Sequence, residues 1–119
     1  MLEKDIVPFV DTDGDVTLMV PWLLRERIRG VLPLERQAGV DGIDLRRAFP
    51  PLCLVGHFDK MVMDKGEEAM RNEFERLLPL MRSGGFIPSV DHQTPPHVTV
   101  VQYRTFRRLL DEYTTAAAQ

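Results

Sequence analysis

Leu52-Cys53-Leu54-Val55, then Gly56-His57-Phe58-Asp59-Lys60, then Glu67 to Arg82, then Ser83-Gly84-Gly85 and Phe86-Ile87-Pro88-Ser89-Val90: residues 52–90 decide the fold. The first four residues are apolar at every position, as in a strand covered on both faces. The next five make a polar loop. Met70, Phe74, Leu77, Leu78 and Met81 recur at helical spacing and define one apolar face. Ser83-Gly84-Gly85 stops that helix, since glycine is the usual C-terminal residue. Pro79 falls late in it and is expected to bend its last turns. A second apolar run at 86–90 completes strand, helix and strand. This pattern gives parallel strands joined by crossover helices.

The same unit repeats outward with a period of roughly 25 to 30 residues, the size of one strand–helix unit. Upstream, Ile6 to Val10 reads as a strand and Val16 to Arg29 as a helix, with Met19, Leu23 and Leu24 apolar and Pro21 in its first turn. Gly30 to Leu34 is the second strand. The helix Ile43 to Phe49 follows and is stopped by Pro50-Pro51. Downstream, Thr99 and Gln102 fit a capping box. Tyr103, Phe106, Leu110 and Tyr113 line the last helix. The chain is therefore one α/β domain of four βα units, at about 5–29, 30–51, 52–84 and 85–113, with 114–119 as a frayed tail. Pro8, Pro33 and Pro88 fall within the expected strands and fit only near strand ends, where the chain leaves the sheet.

Composition narrows the function. With 119 residues the chain builds one domain. The formal net charge is −3 and the basic residues are scattered, which argues against nucleic acid as a partner. A single cysteine, Cys53, rules out an intrachain disulfide and a cysteine-based zinc site, and reads as a core thiol. The N-terminal residues do not read as a secretory signal. No apolar run approaches the ~18 residues that span a bilayer. The expected location is the cytoplasm.

In this order DTDGD (11–15), GVLPLE (30–35), AGVD (38–41), LVGHFDK (54–60), GEEAM (66–70) and RLLPLMRSGGFIPSVDHQTPP (76–96) resemble the C-terminal half of the uroporphyrinogen decarboxylase superfamily. That superfamily also holds corrinoid-dependent methyltransferases. The resemblance runs from Asp5 to Tyr113. It implies the last four units of a TIM-type (β/α)₈ barrel, and so a (βα)₄ half-barrel. One copy has two open sheet edges and an uncovered inner face, which invite pairing. A homodimer would close the barrel, as would a separately encoded N-terminal half; a truncated reading frame is the third possibility. By the resemblance the chain binds or decarboxylates a tetrapyrrole-like polyacid, needs no cofactor, and would be a carboxy-lyase or a methyltransferase relative if it is an enzyme. The arginines and the central aspartate that the N-terminal half supplies in the decarboxylases have no counterpart here. Aspartates stand where the methyltransferases carry a His-x-Cys zinc pair, so no thiol-activating metal is expected.

Barrel chemistry sits on loops at the C-terminal ends of strands. This places Asp11, Asp13, Asp15, Glu35, His57, Asp59, Asp91 and His92 on one rim. His92, Asp13 and Asp11 are the catalytic candidates. A general acid must protonate a pyrrole and an anion must hold the resulting cation. His57, Asp59, Asp91 and Glu35 are the substrate-binding candidates. Each has a plainer reading: a loop-capping hydrogen bond for the histidines, and a salt bridge to Arg36 or Arg46 for Glu35. The loop Asp11-Thr12-Asp13-Gly14-Asp15 stays open to three readings. It is a polar turn, a carboxylate site for a hard cation, or a start similar to that of haloacid-dehalogenase phosphatases. A non-catalytic oligomeric module and a metal-dependent enzyme using this loop are the alternatives to the decarboxylase reading. His97 reads as surface, and Trp22 and the methionines as packing.

Overall fold

The computed structural model describes residues 6–12 and 14–118. Four parallel strands pair in sequence order, β1 (Phe9–Thr12), β2 (Gly30–Pro33), β3 (Cys53–Phe58) and β4 (Phe86–Val90). They alternate with α1 (Val20–Arg25), α2 (Gly42–Ala48), α3 (Glu67–Ser83) and α4 (Val100–Ala117). The α/β class and the four units follow the sequence reading, and the architecture is compatible with a (βα)₄ half unit.

Pleating sends alternate residues to opposite faces. The register aligns Val10 with Val31, Val31 with Leu54, and Leu54 with Phe86. This row packs under the helices with Val16, Val20, Leu23, Leu45 and Leu80. A second cluster lies under α3 and α4. Its centre is aromatic: Phe74 lies 4.6 Å from Phe58, 5.8 Å from Phe106 and 5.3 Å from Tyr113, between ring centroids.

The other face is open. Ile87 remains 63% exposed and Phe9 37%. Cys53 neighbours Gly30 in the register and alternates with the inward Leu54, so it lies on this open face, half-buried, and not in the core as expected. The radius of gyration is 14.6 Å. A closed globule of this length has about 13.5 Å, and the excess suits an open shell.

The ends of elements differ from the sequence reading where backbone constraints act. β1 starts at Phe9 rather than Ile6, because Pro8 stands just outside the ladder and offers only its carbonyl, to the Arg29 and Gly30 amides. α1 is a 3-10 turn (Thr17–Met19) plus six residues, not a helix to Arg29, since Arg27 turns left-handed at φ 65°. β3 runs to Phe58, through what reads as a loop, because the Phe58 ring is wholly buried and its carbonyl accepts the Asp91 amide. On α3 Leu80 is buried, whereas the expected Leu78 and Met81 are only half-buried. α4 continues to Ala117, so residues 114–117 are helical and not frayed. The expected capping box at Thr99 and Gln102 is formed in both directions, at 3.1 and 2.8 Å.

Pro88 sits mid-strand in β4, an edge strand. Gly85 and Asp91 bond toward β3. Pro88 has the opposite parity, so its ring takes the place of an outward N–H. This is how an edge strand accommodates proline, and it blunts the edge.

At the opposite end of the sheet from the rim, Arg46 of α2 gathers five acceptors. They are the carbonyls of Pro50, Leu52, Gly84 and Gly85 and the Ser83 hydroxyl. One guanidinium thus ties the loop after α2 to the loop after α3. Among the described residues no helix is long and apolar enough to cross a membrane.

Candidate functional site

The loops after β2, β3 and β4 meet at the C-terminal ends of the strands. Asp91 is fully buried there. Its two carboxylate oxygens accept the Arg36 amide at 2.7 Å and the Lys60 amide at 3.1 Å, and the Lys60 ammonium stands 3.6 Å away. One side chain after β4 therefore pins the loops after β2 and β3. The same ammonium donates to Gln37 Oε1 at 2.7 Å and lies 3.8 Å from Glu35. Asp59 caps the turn after β3 by accepting from the Met61 amide, and it also accepts from Gln37 Nε2. Glu35, Asp59 and Asp91 thus share one connected layer, with Lys60 and Gln37 between them.

His57 does not stand on the rim with them. Its ring turns to the helix side and is wholly buried. The Gly42 amide donates to Nε2 at 2.8 Å, so the proton rests on Nδ1, which donates to the Leu34 carbonyl at 2.8 Å. A Cβ on Gly42 would come within 2.8 Å of this ring, which is why α2 can start only with glycine there. The backbone reaches this position through Gly56 at φ 109° and His57 at φ 72°. At Gly56 a Cβ would collide with the Pro33 carbonyl at 2.2 Å. Below the ring, Arg76 grips Glu73 by two bonds of 2.6 and 2.8 Å and donates to the His57 carbonyl. Glu73 in turn accepts the Asp59 amide at 2.7 Å.

Burial pushes the His57 imidazolium below its ordinary 6.5; the hydrogen bond to the Leu34 carbonyl opposes this in part, and the Arg76 and Arg36 charges add to it. A depressed folded value means the unfolded chain binds the proton first. Stability is therefore complete above pH 6.5 and falls as pH drops below it toward the depressed value. The expected extra slope is up to ~1.4 kcal/mol per pH unit in that window. Urea unfolding at pH 7.5, 6 and 5 tests it, because His57→Gln should flatten the slope. An unchanged slope would mean that another group titrates.

In front of this layer, on the open face, a groove of about 350 Å³ is lined by Asp11, Leu32, Pro33, Val90, His92 and Gln93. Asp11 comes from the end of β1 and His92 from the loop after β4, so two of the three catalytic candidates share one groove across the sheet. Asp13, the third, lies outside the described residues. Asp15 is turned to its own loop, where the Thr17 hydroxyl and amide hold its carboxyl below the usual range. Among the described residues no three His, Cys, Asp or Glu side chains are grouped to hold a metal ion. His97 is exposed and pairs with Asp64 at 3.0 Å.

The groove sets the Asp11 carboxyl and the His92 imidazole, both side chains able to serve in acid–base chemistry, beside the apolar Leu32. Sequence reading missed Lys60, Glu73 and Arg76. The signal for the last two was available: an acid and an arginine three residues apart beside the apolar face of α3. No protein-family profile, curated protein or solved structure matches this chain.

Proposed function

We propose that this chain is the C-terminal half of a decarboxylase-type barrel that pairs with a second copy of itself and binds a tetrapyrrole-like polyacid at the mouth. The observation that carries the reading is the groove that brings Asp11 and His92 together at the C-terminal ends of the strands. The open face and the in-order parallel sheet support it. Asp11 would accept pyrrole N–H groups and hold positive charge, and His92 would be the proton donor. Lys60 and the Arg36 amide are already engaged with Asp91 and its neighbours. Cations for the ligand's carboxylates must therefore come largely from outside this groove. The function assigned to the chain alone is binding, not turnover.

The test is a thermal-shift titration with uroporphyrin, alongside solution mass by light scattering. Binding to the folded state alone, at about a hundred times Kd, adds ~2.7 kcal/mol and raises the midpoint by several degrees. Asp11→Asn and His92→Gln should each reduce that rise. A shift with magnesium, calcium or zinc, and none with the porphyrin, would move the function to the 11–15 loop. A dimer with no ligand response would leave an assembly module.

A further inference from the structure

Helices that flank a half-barrel each have one side facing a neighbour within the chain and one side facing where a neighbour would be. For α4 the inner neighbour is α3. Arg71 and Glu67 of α3 pair with Glu112 and Arg108 of α4. The opposite flank of α4 carries Val100, Tyr103 and Arg107, all exposed and spaced three and four residues apart, the spacing of a helix–helix seam. Val100 is 67% exposed and Tyr103 42%. On the inner side of α1, Thr17, on the turn that leads into the helix, lines one groove with Asp41, Asp44 and Leu45, and Leu24 packs into the core. The other flank carries Met19, Trp22 and Glu26, and Trp22 is 53% exposed.

The two unpartnered flanks match. Each presents apolar side chains near the rim end of its helix and one charge further along, Glu26 at the residue that caps α1 and Arg107 on α4. The charges are opposite, and both helices run away from the rim, so the apolar and charged positions align when the helices lie side by side. The β4 edge between them lacks one outward amide at Pro88, which shifts the burden of association from a strand ladder to helix packing.

From these flanks we infer that a second copy of this chain docks with its α4 flank against the Met19, Trp22 and Glu26 flank of α1, and the reverse at the other edge. The inference rests on the half-barrel reading. It makes the interface two equivalent helix–helix seams, with Trp22 and Tyr103 as anchors.

Trp22 is the sole tryptophan, so the native chain reports on its own seam. The experiment follows intrinsic fluorescence and light-scattering mass over a dilution series. Dimer formation should shift Trp22 emission to shorter wavelength in step with mass. Tyr103→Glu should weaken association by about tenfold or more. Glu26→Arg and Arg107→Glu should each weaken it, and the two together should restore it, which a folding defect would not do. A dimer whose Trp22 emission is constant, or which ignores these changes, overturns the seam and leaves the paired half-barrel standing. A monomer at every concentration overturns the homodimer itself.

Discussion

Phe74→Ala is expected to lower the unfolding free energy by ~3–5 kcal/mol, the range of a fully buried aromatic truncation. The ring is wholly buried and is the hub of the second cluster, touching the Phe58, Phe106 and Tyr113 rings. Those partners come from β3 and α4, while Phe74 belongs to α3. Removing it opens a cavity that three separate elements would have to collapse to fill, and packed interiors relax only in part. A domain of this size has about 5–15 kcal/mol in total, so the variant should unfold at a much lower urea midpoint. Phe74→Leu should recover more than half of the loss. A loss below ~1 kcal/mol for the alanine variant would show that α4 does not depend on this stack. Amide exchange along α4 would locate the effect, since its docking relies on Phe106, Leu109 and Tyr113 meeting Phe74 and its neighbours.

Asp91→Ala is expected to cost ~3 kcal/mol, although the residue contributes no apolar packing of note. The carboxylate takes two backbone amides from different loops and faces the Lys60 ammonium. Its removal leaves two donors without an acceptor, at ~1–3 kcal/mol each when buried, and one cation without its partner. Asp91→Asn keeps the shape but turns an NH₂ toward one of the donors, so it should recover only part of the loss. Chemical denaturation measures both. Faster exchange at the Arg36 and Lys60 amides in the alanine variant would trace the loss to these bonds. By contrast, the exposed Arg71–Glu112 pair is screened by solvent and contributes little. If Asp91→Ala behaved like that surface pair, the three loops would have to be held by packing and by the remaining Gln37, Asp59 and Lys60 bonds.

Both effects bear on what could be read in advance. β4 was legible to the residue because Gly84-Gly85 and Asp91 bracket an apolar run. α3 was legible almost to its end, since 17 residues of regular period outweigh one proline. β1 starts three residues and ends two residues later than read, because Asp11 and Thr12 are polar and read as loop, although the open face tolerates Asp11 in a strand. The site divided in the same way. Chain order alone placed Asp11 and His92 at strand ends. His57 sits at a strand end too, but a left-handed turn at Gly56 and His57 swings its ring behind the sheet, to meet an amide from α2. Nothing local in the sequence records that meeting.

The Arg46 clasp bears on how this architecture can change over generations. Its five acceptors lie at fixed points on two loops, so one inserted residue in 50–52 or 83–85 would pull several carbonyls out of register at once. The loops at the other end are tied through one or two amides each and can lengthen at smaller loss. Added loop residues are therefore tolerated more easily on the groove side, while the clasped end is constrained in length.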